Sequence, residues 1–524
     1  MRAVLDAPLQ GLTAIEARAG TGKTTLLELL AQRHHTRSGL YLSFDKASQM
    51  EASRRFPRSV ACKTINGLAF EAVGKAYGHK IKDLKPRAVA ILLGLGNSFD
   101  LARAVIQILD QWMNSSDLVF PERPPFTVEA TLSPARAAYA VHLAEQAWGQ
   151  MMDPASPFPM PHAGYLKAFQ LSRPRIAADY IMLDEFQDTN PVTWDIVRSQ
   201  VVPSIIVGDR YQSIYEFRGA VNAFDDVPAD RRFVLTHSFR FGPLVAEVAS
   251  SLLWGFFADE VPVIAKGFAT QLCDQALLPA PQSILARTNM EIFNRSCEAA
   301  QAGMRLAFGG KVEGYGHETL LDMYRLGQYM HDEIRDPFLR SFDSFEDLTD
   351  YAERVRDLEL MWKLKAVTAY GSELPRLIGL IRQQIVRRGQ PADVFLCTLH
   401  RSKGMTLDNV YLADDGPALI GENGLPLPPE DLDPQEIHLA YVGVTRAKKS
   451  LRLSTNLVDY LRALSCHSVL NAIRRSESPG DPGVDVPSAT PPCRPVPALV
   501  PQVVAPPPAK TGVQPFQIAQ PSLF

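Results

Sequence analysis

No two of the six cysteines in this 524-residue chain (Cys62, Cys273, Cys297, Cys397, Cys466 and Cys493) stand in a CxxC pair. That excludes a recognisable zinc or iron–sulfur site, and it fits a reducing compartment in which the thiols fill core space. Charge of one sign is also missing. With 54 basic and 57 acidic residues there is no global attraction for nucleic acid or membrane, so any phosphate-binding surface has to be local. No apolar run approaches the roughly 20 residues that a bilayer span needs. The opening MRAVLDAPLQ has neither the basic segment nor the apolar stretch of an export signal. The expectation is a cytoplasmic protein that does not engage membranes. What is present, 46% hydrophobic and 21% charged residues, is ordinary for globular chains, and the length exceeds a single core.

Residues 12–17 read as a buried strand followed by a Gly-rich turn and an amphipathic helix over 23–32. Further strand-like runs at 40–44, 180–183, 204–207 and 233–235 alternate with helical stretches, the pattern of a parallel sheet covered on both faces. A second set appears at 283–286, 394–397, 410–413 and 451–453. The expected fold is therefore α/β with two such domains, 1–70 with 166–240 and 241–310 with 391–475. Helical insertions over 71–165 and 311–390 are too long to be loops. From 476 the composition turns to Pro, Val, Ala and Ser, and residues 477–524 hold 13 of the 40 prolines. Such a tail is expected not to fold on its own.

Ala17-Arg-Ala-Gly-Thr-Gly-Lys-Thr24 lies between the first strand and its helix, the place of a phosphate-binding loop. Ala17 stands where the strict GxxxxGK[ST] pattern has glycine. Backbone amides of Ala19, Gly20, Thr21, Gly22, Thr24 and Thr25 would turn toward phosphate oxygens at a helix N-terminus. Lys23 would reach the β and γ phosphates, and Thr24 would hold Mg²⁺. Leu183-Asp-Glu-Phe-Gln-Asp188 closes a later strand. Its Asp184 would hold the metal and its Glu185 would polarise the attacking water.

Asp184-Glu-Phe-Gln-Asp-Thr189 and Val207-Gly-Asp-Arg-Tyr-Gln-Ser-Ile-Tyr-Glu-Phe-Arg-Gly-Ala220 resemble superfamily 1 helicases of the UvrD/Rep type. Three more stretches resemble that family's later motifs in order: Thr236-His-Ser-Phe-Arg240, Thr398-Leu-His-Arg-Ser-Lys-Gly404 and Leu439-Ala-Tyr-Val-Gly-Val-Thr-Arg-Ala447. Residues 40–66 and 164–174 look most like the helicase part of the F-box DNA helicases. The resemblance, over about residues 3–475, implies two RecA-like motor domains with ATP between them, moving 3′ to 5′ on single-stranded DNA and opening tailed duplexes. By motif position it implies that Arg240 and Arg446 reach the γ phosphate, Gln212 senses it and Phe239 stacks on adenine. It also implies that Phe44, Tyr215 and Phe217 stack on bases, while Thr64, Asn66, Arg218, Thr398 and His400 contact the strand or couple it to hydrolysis.

Three positions depart from the family. Met1 stands where an adenine-reading glutamine is usual, Thr406 where a carboxylate follows Lys-Gly, and Asn66 where histidine is common. The second insertion is also short, which suggests weak unwinding without a partner. Finally, Gln520-Pro-Ser-Leu-Phe524 resembles the peptide with which bacterial proteins dock on the replication sliding clamp. Leu523 and Phe524 would fill an apolar pocket, and Gln520 and Ser522 would orient the peptide.

Overall fold

The computed structural model describes residues 1–215, 224, 227–273, 280–355, 357–387 and 389–477, of which 474–477 are described as backbone alone. The Pro-rich tail and the Gln520–Phe524 peptide lie outside the described residues.

The first sheet contains β1 (Leu12–Ala17), β2 (Gly39–Ser43), β3 (Val60–Thr64), β4 (Tyr180–Leu183), β5 (Ser204–Gly208) and β6 (Arg231–Leu235), in the order β3-β2-β4-β5-β1-β6. Every pairing is parallel. Tyr-Ile-Met-Leu in β4 and Ser-Ile-Ile-Val-Gly in β5 are buried throughout, as strands covered by helices on both faces must be. A short parallel pair, β7 (His237–Ser238) with β8 (Ile264–Ala265), follows.

The second sheet is β9 (Gln271–Leu272), β10 (Gln282–Ala286), β11 (Leu306–Phe308), β12 (Val394–Thr398), β13 (Leu407–Leu412) and β14 (Ala447–Arg452), in the order β11-β12-β10-β13-β14-β9. It too is wholly parallel. The α/β class expected from the alternating runs is the one the chain adopts. Strands β3, β9 and β11 are additions to that reading, and Phe44, expected inside a strand, falls just past the end of β2.

Between β3 and β4 the chain is helical, with Phe99–Asn114 and Pro134–Met152 packed around their own apolar core. Between β11 and β12 a second group of helices shares one core with β10 and β12. The two groups touch: the Phe99 and Tyr351 rings meet edge to face at 5.1 Å, and Arg103 donates to the Val355 carbonyl at 2.5 Å. Among the described residues no helix is long and apolar enough to cross a membrane. The phosphate-loop candidate and the segments carrying Asp184, Glu185 and Gln212 follow the C-terminal ends of β1, β4 and β5, where parallel sheets place their ligands.

Candidate active site

After β1 the chain turns through Gly20 (φ 74°) and Gly22 (φ 83°), backbone that favours glycine. At Gly20 a Cβ would also lie 2.5 Å from Ser238 Oγ and 2.8 Å from Arg240 Cβ, so the loop and the Ser238–Arg240 segment approach too closely for any side chain. Helix Lys23–Arg33 starts at Gly22 with no side-chain cap and no acid in its first turn. Its leading amides are therefore free to meet an outside anion.

Opposite the loop, β4 delivers Asp184 and Glu185. Asp184 Oδ2 accepts from Tyr41 Oη at 2.8 Å and from Thr24 Oγ1 at 3.3 Å. Glu185 sits in the left-handed region (φ 54°), a conformation uncommon for a residue with a Cβ and typical of functional turns. Its carboxylate lies 3.2 Å from Lys23 Nζ and accepts from Gln187 Nε2 at 2.5 Å. The two neighbouring acids are driven apart. Burial, then the charge of Glu185, raises Asp184; burial would also raise Glu185, but Lys23 and Lys403 outweigh it and hold Glu185 low. A hydroxyl and a carboxylate side by side are hard oxygen donors that suit Mg²⁺, which takes few protein ligands and completes its shell with water and phosphate. Thr24 and Asp184 fit that role.

From the second sheet's side come the arginines. Arg446 is almost completely buried, its guanidinium donating to Gln212 Oε1 at 3.2 Å, Thr445 Oγ1 at 2.9 Å and the Val442 carbonyl at 2.8 Å. Arg240 donates to the Thr445 carbonyl at 3.1 Å. Among the described residues neither pairs with a carboxylate. Burial lowers the pKa of both, and for Arg446 the charge of Arg240 adds to it, so two like charges share a dry site that an anion would relieve. Gln212 is held on its other side by Asp209, accepting at 2.6 Å. Phe239, 59% exposed, follows Ser238 beside the loop, and its amide donates to the Gly20 carbonyl at 2.9 Å.

A second cluster lies at the ends of β2, β3, β5 and β12. Phe44 and Tyr215 are stacked on each other (5.1 Å, 15°), so the faces they share are closed to a base. Tyr215 Oη donates to the His400 carbonyl at 3.1 Å. Thr64 and Thr398 each end a strand and cap a short helix, accepting from the amides of Gly67 at 3.0 Å and Arg401 at 3.4 Å. Asn66 Oδ1 is buried without a partner. Phe217 and Arg218 lie outside the described residues.

The structure thus brings Lys23, Thr24, Asp184, Glu185, Gln212, Arg240 and Arg446 into one cleft. It adds residues that motif reading left unassigned. Lys403 pairs with Asp188, donates to the Gln212 carbonyl at 2.6 Å, lies 3.8 Å from Glu185 and sits 5.3 Å over the Tyr215 ring, joining the two clusters. Tyr441 Oη accepts from the Ala19 amide at 3.1 Å and donates to Asp209, so the Ala19 amide, expected to face phosphate, is instead taken by Tyr441. A lysine and a tyrosine inside stretches already matched to motifs were the available signal.

Comparison with known proteins gives a consistent result. The family model of the UvrD/REP helicase N-terminal domain matches residues 168–224, and that of the UvrD-like helicase C-terminal domain matches 338–457. F-box DNA helicase 1 of Gallus gallus is 33% identical over 494 residues, covering 87% of this chain and 48% of that protein. F-box DNA helicase protein 1 of Schizosaccharomyces pombe is 28% identical over 504 residues, 86% of this chain and 56% of that one. A probable DNA helicase II homolog of Mycoplasma pneumoniae is 33% identical over 111 residues, 19% and 16% of the two chains. The chain spans about half the length of the two F-box relatives.

Proposed function

The chain belongs to the UvrD-like helicase family, and from that premise we propose that it is an ATP-driven motor that travels 3′ to 5′ along single-stranded DNA and opens tailed duplexes in DNA repair, recombination or replication in the cytoplasm. The observation that carries this reading is the pair of buried arginines, Arg240 and Arg446, neither of which pairs with a carboxylate among the described residues, across the cleft from an uncapped helix N-terminus and Lys23. A triphosphate meets both demands at once. Lys23 and the loop amides bind it, Glu185 accepts a proton from the attacking water, Gln212 registers the γ phosphate, and the arginines stabilise its developing charge only when the two sheets close. Mg²⁺ held by Thr24 and Asp184 would neutralise charge on the β and γ oxygens. Phe239 offers an exposed ring to the base.

Phe44 and Tyr215, with Phe217 and Arg218 by motif position, form the strand-binding side along with Thr64, Asn66, Thr398 and His400. Lys403, which touches Glu185 and Tyr215, is where DNA occupancy would reach the base.

ATP hydrolysis and strand separation on duplexes with a 3′ or a 5′ tail test the reading. Unwinding from the 3′ tail alone is expected. Opening from the 5′ tail alone reverses the direction, hydrolysis stimulated by single strands without strand separation points to a translocase that strips proteins, and binding of nucleotide and DNA without stimulated hydrolysis ends the motor reading in favour of a nucleotide-switched DNA-binding adaptor. The C-terminal peptide adds a partner. Gln520, Ser522, Leu523 and Phe524 would dock on the bacterial sliding clamp at the end of a Pro-rich tether that raises the motor's local concentration. Calorimetry of the last dozen residues against a clamp checks this, and binding that survives alanine at both Leu523 and Phe524 rejects it.

A further inference from the structure

Arg18 opens the phosphate loop, yet its side chain does not serve the loop. It is 3% exposed and crosses the cleft to form an ion pair with Asp259, which follows helix Pro243–Phe257. The same guanidinium lies 3.4 Å from the Val261 carbonyl and 4.9 Å over the Tyr211 ring. Tyr211 is next to Gln212, and its ring packs on Phe257 at 5.1 Å and near Tyr441 at 6.2 Å. One cation therefore ties together the loop, the segment carrying Gln212 and the far wall of the cleft. Asp259 is turned to its task locally: the helix ends at Ala258 in the left-handed region (φ 51°), and Asp259 Oδ1 accepts from the Val261 amide at 2.9 Å.

The arrangement is a poor stabiliser. Both charged side chains are largely removed from water, and Arg18 Nε is buried with no partner. Burying an ion pair costs desolvation that a well-packed apolar pair would avoid, and an unpaired buried N–H adds to the cost. What such a pair does supply is a fixed mutual position.

We propose that Arg18 is a positioning residue whose ion pair with Asp259, backed by the Tyr211 ring, locks the start of the phosphate loop to the second half of the molecule, so that closing the cleft sets the loop in register with Arg240 and Arg446. This rests on the ATP-hydrolysing reading above. The loop is touched from across the cleft at three successive residues, by Asp259 at Arg18, by Tyr441 at Ala19 and by the Ser238–Arg240 segment at Gly20. Of these only the first is a side chain reaching outward from the loop. Closure transmitted there governs the alignment of groups already bound, so hydrolysis should suffer more than nucleotide binding.

The test uses the full chain with Arg18→Met, Arg18→Lys, Asp259→Asn and the charge-swapped pair Arg18→Glu with Asp259→Arg. At saturating single-stranded DNA, Arg18→Met and Asp259→Asn should each lower kcat about tenfold while KM for ATP moves little. Arg18→Lys should keep part of the rate, and the swapped pair should recover most of it. Hydrogen exchange of the amides over 18–24 should speed up in the two single losses and return in the swap, a readout that does not need turnover. Normal kcat in the single variants, or a folded swap no better than they are, overturns the latch. A wild-type chain that hydrolyses no ATP overturns the ATPase reading instead, and the exchange data still decide the latch.

Discussion

Two strand–turn–helix junctions in this molecule have opposite chemistry. After β1, the turn is glycine-rich and helix Lys23–Arg33 begins with no capping side chain. After β10, the turn is Arg287-Thr288, and everything a helix N-terminus asks for is supplied by the protein. Thr288 caps helix Asn289–Gln301, and Asp415 accepts from the amides of Arg287 and Thr288, both at 2.8 Å, and from Thr288 Oγ1 at 2.9 Å. Arg287 is itself held by Glu436 at 2.7 Å. A helix start becomes a binding site when the chain withholds the anion that its amides need. The first junction withholds it; the second supplies a carboxylate to the two amides that lead into its helix.

The sharpest way to break the comparison is at the first junction. Lys23→Ala and Glu185→Gln should each cut DNA-stimulated ATP hydrolysis by at least about two orders of magnitude, with Glu185→Gln still binding nucleotide. Steady-state rates and a fluorescent nucleotide titration check both, and near-normal turnover in either variant would falsify the site. The same kind of change at the second junction should be felt as stability. Asp415→Ala strands two amides and should cost about 1–2 kcal/mol, read as a lower urea midpoint, while KM for ATP stays put. If Asp415→Ala instead abolished hydrolysis in a folded protein, the two junctions would not be opposites.

How much of this was legible in the sequence follows from distance along the chain. Strands such as β4 and β5 are continuous apolar runs because both faces are covered, so they announce themselves. Strand β3, Val-Ala-Cys-Lys-Thr, lies at the sheet edge with only Val60 fully buried, and its composition gives no such signal. Lys23, Asp184, Glu185, Gln212, Arg240 and Arg446 were legible because each sits inside a local motif. Arg18 and Lys403 also sit inside such stretches but were not legible, since their meaning lies in partners 241 and 215 residues away that meet only when the two sheets face each other. Local chemistry is written locally, whereas closure is written in pairs that only the fold identifies.

The contrast extends, with the sign reversed, to helix C-termini in the first insertion. The carbonyls beyond helix Phe99–Asn114 are met by Lys167, which donates to Ser115 at 3.0 Å and to Asp117 and lies 3.8 Å over the Trp112 ring. Those in the last turn of helix Pro134–Met152 and just beyond it are met by Lys80, which donates to Gln150, Asp153 and Ser156 at 3.2, 2.6 and 3.3 Å. A cation complements the negative end of a helix, but here it is buried to do so. Burial wins for Lys167: against the opposing charges of Asp117 and Asp195, its pKa is pulled down to about 8. The folded chain therefore holds this proton less tightly than the unfolded chain does. Between about 8 and the ordinary lysine range the unfolded state binds more protons, so stability should rise as pH increases through that window and fall as it decreases. Discounted for partial solvent screening, the effect should be under about 1 kcal/mol. Urea midpoints at pH 7 and pH 9, for the wild type and Lys167→Met, isolate it. The variant should be less stable at both pH values yet lack the alkaline gain, and an equal gain in both proteins would show that Lys167 keeps an ordinary lysine's proton.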